Sequence, residues 1–205
     1  LKLPEKMQDA VERGELSAMA EICLRRGVVI CSDEIHCDLV FAGHRHTPIA
    51  ALDAEIAAST ITLMAPSKTF NIPGLKCAFA VISNPELRDK FQKARRGLVG
   101  DVNLMGYQAA LAAYRHGESW LKELLAYLEA NRDFLYDVIN QEFPSIRMVK
   151  SEGTYLAWLD CRDAGLGSDP CGFFLDKARG GLNDGAKVGS GGAGVVRRNF
   201  GCPRS

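Results

Sequence analysis

Residues 62–76 read Thr-Leu-Met-Ala-Pro-Ser-Lys-Thr-Phe-Asn-Ile-Pro-Gly-Leu-Lys, and this stretch decides the fold. It begins as a short apolar strand and changes at Pro66 into a polar loop that presents Lys68. A Pro-Gly turn then leads into a second predicted strand, Cys77 to Ile82. A lysine at the mouth of a strand can act as a nucleophilic amine, because burial favours its neutral form. The loop by itself indicates only a solvated lysine.

A second stretch, upstream of Lys68, changes that interpretation. Val28 to Cys31 is rich in β-branched residues, which predicts a buried parallel strand, and it continues into Asp33, Glu34 and His36. Ligands of α/β sheets bind at the carboxyl ends of the strands. A pyridoxal phosphate site needs a carboxylate to keep the ring nitrogen protonated and a lysine to carry the aldehyde. Asp33 and Lys68 would supply both groups from two successive strand ends.

Three motifs carry a resemblance to a known family. They are Ser-Asp-Glu-Ile-His at 32–36, Ala-Pro-Ser-Lys-Thr-Phe-Asn-Ile at 65–72 and Asn-Phe-Gly-Cys-Pro-Arg at 199–204. In this order they resemble the pyridoxal-phosphate-dependent carbon–sulfur β-lyases, the cystathionine β-lyase relatives within the class I/II aminotransferase superfamily. The resemblance implies an α/β fold of type I: part of a large domain, with a mostly parallel sheet and flanking helices, followed by a small C-terminal α/β domain.

The resemblance also implies roles for the residues around the cofactor. Lys68 would bind pyridoxal phosphate covalently and act as the general base at the substrate Cα. Asp33 would pair with the pyridinium nitrogen. His36 would contact the ring hydroxyl, at a position where many aminotransferases have a tyrosine, and histidine there fits the lyase branch. The alternative for His36 is a buried histidine with satisfied hydrogen bonds.

Further matching residues would hold the phosphate and the substrate. Ser67 and Lys76 would contact the cofactor phosphate, for which a charge-assisted contact is favourable. Ala65 departs from the family, since aminotransferases often have a phosphate-binding serine there. The planar guanidinium of Arg197 suits the substrate α-carboxylate, and Arg204 is a second, weaker candidate.

The implied reaction is β-elimination, in which a cysteine thioether such as cystathionine gives a thiol, pyruvate and ammonia. Transamination on the same fold is one alternative, because its chemistry is shared up to the Cα carbanion. An inactive or truncated chain is another, since proteins of this family are usually much longer. The missing part would precede residue 1 and would carry further cofactor contacts. The family also implies a homodimer for the full-length protein.

Composition and charge fit a soluble globular enzyme. The 205 residues include 25 Lys and Arg and 25 Asp and Glu, so that a nucleic-acid or anionic membrane partner is not indicated. No apolar run is long enough for a membrane span. Seven cysteines without a C-x-x-C pair predict reduced, buried thiols in a cytoplasmic protein.

Two groups of residues raise the possibility of a metal site. Cys31, His36 and Cys37 lack the second ligand pair that such a site needs. His44 and His46 form an H-x-H pair, but exposed loop histidines explain them better. The sequence therefore predicts no metal.

The domain boundary is expected at a long amphipathic helix, Glu118 to Asn140. In the family such a helix connects the two domains, so residues 1–118 are assigned to the large domain and 119–205 to the small one. The alanine-rich segment 102–116 is predicted to be a buried helix, and the glycine-rich segment 180–194 a flexible connection.

Overall fold

The computed structural model describes residues 12–189 and 191–203. Its helices are α1 (Arg13–Arg25), α2 (Ala54–Ala58), α3 (Pro66–Thr69), α4 (Pro85–Arg95), α5 (Leu104–His116), α6 (Glu118–Glu142) and α7 (Pro170–Ala178). Its strands are β1 (Ile30–Asp33), β2 (Thr60–Met64), β3 (Phe79–Val81), β4 (Arg147–Met148), β5 (Leu156–Asp160), β6 (Asn183–Asp184) and β7 (Val195–Asn199). Two compact units result: residues 12–38 with 45–122, and residues 39–44 with 123–203.

The first unit is built on the sheet β1-β2-β3. β1 and β2 are parallel, with Ile30 opposite Thr60 and Asp33 opposite Leu63, whereas β3 is antiparallel to β2. A small apolar core forms where Ile30 of β1 packs with residues outside the sheet: Ala20, Ile49 and Ile56. Because β1 and β2 run in the same direction, their carboxyl ends lie next to each other at one edge of the sheet.

Two predictions about burial in this unit were wrong. The strand begins at Ile30, and the preceding Val28 and Val29 are 52% and 49% exposed. α5 forms as predicted, but Gly106 is its one buried residue within the part of the chain described, and Leu104 and Met105 are exposed. Composition indicated a strand and a helix correctly, but burial depends on which surfaces pack against them.

The second unit contains the antiparallel sheet β4-β5-β7-β6. The predicted long helix is present as α6. The glycine-rich segment is not merely a flexible connection, since it contains β6 and a short 3-10 helix, Gly185–Lys187. A Cβ on Gly192 would lie 1.9 Å from the carbonyl oxygen of Gly185, so the close approach of two backbone segments requires glycine there.

Two general properties of the described chain bear on function. No helix in these residues has the length and apolar character needed to cross a membrane. All seven cysteines are free thiols. The expectation that they are buried fails for Cys31 and Cys202, which are exposed.

Arg132 of α6 is a buried cation that connects several parts of the second unit. Its guanidinium donates hydrogen bonds to the backbone oxygen of Ser151 at 2.9 Å, to Asp133 Oδ1 at 2.7 Å and to Glu129 Oε1 at 3.1 Å. The guanidinium carbon also lies 4.5 Å from the centroid of the Phe41 ring. A buried charge with this many partners is costly to remove, because its partners then lose their donors.

We predict that Arg132→Ala lowers the free energy of unfolding by about 3 kcal/mol. Urea unfolding followed by circular dichroism measures the change. Arg147→Ala is the matched control, because the Arg147 side chain is 62% exposed where it pairs with Asp160 and Asp163. The control should cost about 1 kcal/mol or less. Equal losses for the two variants would show that burial does not decide the contribution of Arg132.

Candidate active site

Asp33 and Lys68 follow two neighbouring parallel strands. Asp33 is the last residue of β1, and Lys68 lies in α3, directly after β2. Parallel pairing places Asp33 opposite Leu63, near the end of β2. Both residues are therefore at the edge of the sheet where α/β proteins bind ligands. Their placement agrees with the sequence analysis, and their roles stay predictions.

The sequence suggested that Lys68 lies in a loop. In the structure it lies in the single helical turn α3. The backbone of Ala65 is extended, and Pro66 occupies the first helical position, for which its ring is preorganised. The turn is closed by a hydrogen bond from the Phe70 N–H to the carbonyl oxygen of Pro66 at 2.9 Å. The backbone of Lys68 is therefore fixed, and its side chain is partly buried.

The residue after Lys68 links α3 to the turn that follows β1. Thr69 is fully buried, and its Oγ1 donates a hydrogen bond to Asp38 Oδ2 at 2.9 Å. His36 lies two residues before Asp38, in the same turn. The hydrogen bond therefore connects the segment of Lys68 with the segment of His36.

Phe70 fixes the other side of α3 by aromatic packing. Its ring centroid lies 5.7 Å from that of Tyr114 and 5.9 Å from that of Trp120. A Cβ on Gly117 would lie 2.4 Å from a carbon of the Phe70 ring, so a glycine is needed for this contact. Tyr114 is not poised to ionise, because burial and the charge of Asp38 raise its pKa to about 12.

Lys76 is held at the same edge of the sheet by a second turn. It follows the 3-10 helix Pro73–Leu75 in the left-handed conformation, with φ 51°, and leads into β3, whose first residue pairs with the last of β2. Asn103 Nδ2 donates a hydrogen bond to the carbonyl oxygen of Leu75 at 3.1 Å. A Cβ on Gly106 would lie 2.6 Å from that oxygen, so the start of α5 can pack against the turn only with glycine there.

Several polar side chains at this edge have no partner within the part of the chain that the structure describes. The hydroxyl of Ser67 and the ammonium groups of Lys68 and Lys76 make no hydrogen bond or ion pair with any residue that the structure describes. The Asp33 carboxylate accepts one long hydrogen bond, from the Ile35 N–H at 3.4 Å. One carboxylate, one hydroxyl and two cations are therefore available to an anionic ligand that also carries a hydrogen-bond donor.

The pairing of Glu34 with His46, beside the site, was not predicted from the sequence. Glu34 is 95% buried, and its carboxylate accepts from His46 Nε2 at 2.9 Å, from Ser32 Oγ at 2.9 Å and from the Ile49 N–H at 3.4 Å. His46 was expected to be an exposed loop histidine, and this was wrong because the loop folds back onto Glu34. The one signal in the sequence was an acid directly after the strand.

The possible metal sites do not assemble. Within the described residues, no group of three or more His, Cys, Asp or Glu side chains could hold a metal ion. His44 pairs with Glu152 and His46 with Glu34, so the two histidines face different carboxylates. Burial, together with neighbouring carboxylates, raises the pKa of the Cys37 thiol to about 11, which makes it a poor ligand and nucleophile near neutral pH.

Arg197 is placed by β7 in the second unit. Its Nη2 donates a hydrogen bond to Asn183 Oδ1 at 3.3 Å, and its guanidinium carbon lies 5.8 Å from the Trp158 ring centroid. Its Nε is buried and has no partner among the described residues. Arg198, next along the strand, is exposed. Arg204 lies outside the described residues.

Comparisons with known sequences give a consistent result. The aminotransferase class I and II family profile matches residues 9–178. The chain is 40% identical to cystathionine beta-lyase PatB of Bacillus subtilis over 192 residues. The matched region covers 93% of this chain and 50% of PatB. Aspartate aminotransferases are less similar, at 28–29% identity. The chain spans about half the length of the curated relatives it matches.

Solved structures agree in fold. The crystal structure of OvoB superposes with a TM-score of 0.88 at 45% identity, covering 94% of this chain and 50% of that one. Cystalysin from Treponema denticola, whose structure contains a pyridoxal 5'-phosphate cofactor, superposes with a TM-score of 0.92 at 32% identity, covering 97% of this chain and 51% of cystalysin. The predicted fold class, a partial α/β enzyme fold of this superfamily, is confirmed.

We predict that the Thr69–Asp38 hydrogen bond couples the two turns energetically. A double-mutant cycle of Thr69→Val and Asp38→Ala should give a coupling energy of about 2 kcal/mol, since the acceptor is charged and the donor is buried. Urea unfolding provides the four free energies. A cycle of Thr69→Val with Asp101→Ala is the control, because Asp101 is exposed and pairs with Arg95. A coupling near zero in the first cycle would show that the bond does not join the turns.

Proposed function

The chain belongs to the aminotransferase class I and II family, and from this premise we propose that it is a pyridoxal-phosphate-dependent carbon–sulfur β-lyase. Its substrate would be a cysteine thioether such as cystathionine, cleaved to a thiol, pyruvate and ammonia. The observation that carries the proposal is the sheet edge at which Ser67, Lys68 and Lys76 have no side-chain partner among the described residues and Asp33 accepts only one long hydrogen bond. The similarity to a cystathionine beta-lyase, which exceeds that to aspartate aminotransferases, supports the reaction type.

The groups at the sheet edge fit pyridoxal phosphate. The backbone of Lys68 is fixed in a helical turn and its amine has no protein partner among the described residues, which suits covalent attachment of an aldehyde. The exposed carboxylate of Asp33 can accept a hydrogen bond from a protonated ring nitrogen. The Ser67 hydroxyl and the Lys76 ammonium group suit a phosphate dianion, to which charge-assisted hydrogen bonds are strong.

In the proposed mechanism each of these residues has a defined task. When bound, pyridoxal phosphate supplies an electron sink for negative charge at the substrate Cα. Lys68 Nζ takes the proton from that Cα as general base. Asp33 holds the proton on the ring nitrogen, and the planar guanidinium of Arg197 binds the substrate carboxylate, with Arg204 as a second candidate. Loss of the Cα proton then allows the Cβ–S bond to break: the sulfur leaves with the bonding electron pair as a thiolate, which takes up a proton to give the thiol, and water converts the remaining three-carbon fragment to pyruvate and ammonia.

His36 is the residue that favours elimination over transamination. It takes the position of the ring-contacting tyrosine of many aminotransferases. The two reactions share every step up to proton removal, so Lys68 and Asp33 do not distinguish them. The third alternative is a chain without catalysis of its own. It is distinguished from the lyase and from the aminotransferase because it forms neither set of products.

We extend the proposal to the setting in which the protein acts. The proposal comprises a cytoplasmic location, an amino-acid thioether as the small-molecule partner without nucleic acid or membrane, and a homodimer for the full-length form. It also comprises a division into residues 1–118, part of the cofactor-binding domain, and residues 119–205, the small domain. The balanced charge of the chain supports the absence of a polyanionic partner.

We predict that the chain, mixed with pyridoxal phosphate and cystathionine, releases pyruvate and homocysteine in equal amounts. Lys68→Ala should lower the rate at least about 100-fold, because it removes both the attachment point and the base. Lys90→Ala, which changes an exposed lysine of α4, is the control and should retain the wild-type rate. A coupled dehydrogenase assay measures the pyruvate.

The products also decide between the competing functions. Amino transfer that depends on an added keto acid, without thiol release, would identify an aminotransferase. A wild-type chain that forms neither set of products would contradict catalysis by this chain.

A further inference from the structure

Glu34 is a buried acid with no task in the proposed chemistry. It is 5% exposed, although an isolated carboxylate is strongly disfavoured away from water. Its two oxygens are satisfied separately: Oε2 accepts from His46 Nε2, and Oε1 accepts from Ser32 Oγ and the Ile49 N–H. Donors converging on both oxygens offset the loss of solvation, so the carboxylate has a specific environment in the fold.

The position of Glu34 next to Asp33 gives this environment a consequence. Successive side chains of an extended segment point to opposite faces, so Ser32 and Glu34 share one face and Asp33 is on the other. The Glu34 N–H bonds to the carbonyl oxygen of Leu63 at 2.9 Å and so continues the pairing of β1 with β2. While Glu34 is buried, Asp33 must face outward, as its exposure shows. A slip by one residue would exchange the two acids.

His46 connects this arrangement to a different part of the chain. It lies 12 residues after Glu34, in the loop that leads to the buried Ile49. The side chain of His46 is 33% exposed, so it can be replaced without opening the core. It donates to the carboxylate oxygen that neither Ser32 nor Ile49 reaches, so no other described residue supplies that hydrogen bond.

We infer that Glu34 and His46 form a positioning pair, which holds the end of β1 so that Asp33 and His36 are presented to the ligand. The pair acts through these neighbours and does not contact the reacting atoms. The inference rests on the proposed function when it is tested by cofactor binding. When it is tested by the order of the turn at residues 33–38, it rests on the fold alone.

The first test measures the turn directly in the cofactor-free chain. Hydrogen exchange is followed in peptides that cover residues 33–38, for wild type, His46→Leu and His46→Gln. Leucine cannot donate to Glu34, whereas the glutamine amide can. Exchange should become at least about fivefold faster in His46→Leu and stay near the wild-type rate in His46→Gln, because only leucine frees the turn.

The second test measures the ligand. The dissociation constant for pyridoxal phosphate is obtained by absorbance titration, together with the melting temperature of each cofactor-free variant. We expect about tenfold weaker binding for His46→Leu, with recovery in His46→Gln, by analogy with other supporting residues around bound groups. A pair that only stabilised the fold would shift the melting temperature and leave the dissociation constant unchanged.

His44→Leu is the matched control. His44 lies two residues before His46 but belongs to the second unit, in which it pairs with Glu152 at 3.3 Å. It should alter neither the exchange of residues 33–38 nor cofactor binding. The inference would be overturned if residues 33–38 exchanged at the wild-type rate in His46→Leu. It would also be overturned if their exchange were as fast in His46→Gln as in His46→Leu. If the wild-type chain itself binds no cofactor, the proposed function fails, and the exchange rates alone decide the inference.

Discussion

The parallel pairing of β1 with β2 is the constraint on which the remaining structure depends. It sets Asp33 opposite Leu63 and brings the carboxyl ends of the two strands together. Because side chains alternate between the faces of a strand, this register also decides that Asp33 is exposed and Glu34 buried. Lys68 follows directly, since Pro66 begins a helical turn at the end of β2.

The polar groups at this edge of the sheet and the residues that support them differ in whether they have protein partners. Thr69, Phe70 and Asn103 are each engaged by specific partners, which fix the turns before and after the site. Ser67 and Lys68, which directly precede Thr69, have no side-chain partner among the described residues. Polar residues whose backbone is fixed and whose side chains are unsatisfied suit ligand binding, because the backbone does not have to be ordered on binding. This division of tasks is what we expect of a binding site built on a rigid scaffold.

The sequence predicted those features that depend on neighbouring residues. Pro66 after an apolar run predicted the end of a strand, and β2 does end at Met64, with Pro66 as the first residue of α3. The apolar strands and the polar residues directly after them located Asp33 and Lys68 in the same way. These signals are local, because caps and breaks act within one or two turns of the chain.

Features that depend on distant contacts could not be predicted. The Glu34–His46 pair spans 12 residues and forms only because the intervening loop folds back. The need for glycine at residue 106 comes from a carbonyl oxygen of Leu75, which a single sequence does not reveal. The exposure of α5 was missed for a related reason, since alanine-rich composition indicates a helix but not what packs against it.

Covalent attachment at Lys68 is the central claim, and trapping tests it most directly. The chain is mixed with pyridoxal phosphate, reduced with borohydride, digested and mapped by mass spectrometry. We predict one label per chain, on the peptide that contains Lys68, and none on the peptides of Lys76 or Lys90. Label spread over exposed lysines, with Lys68 unmodified, would contradict the assignment of this sheet edge as the cofactor site.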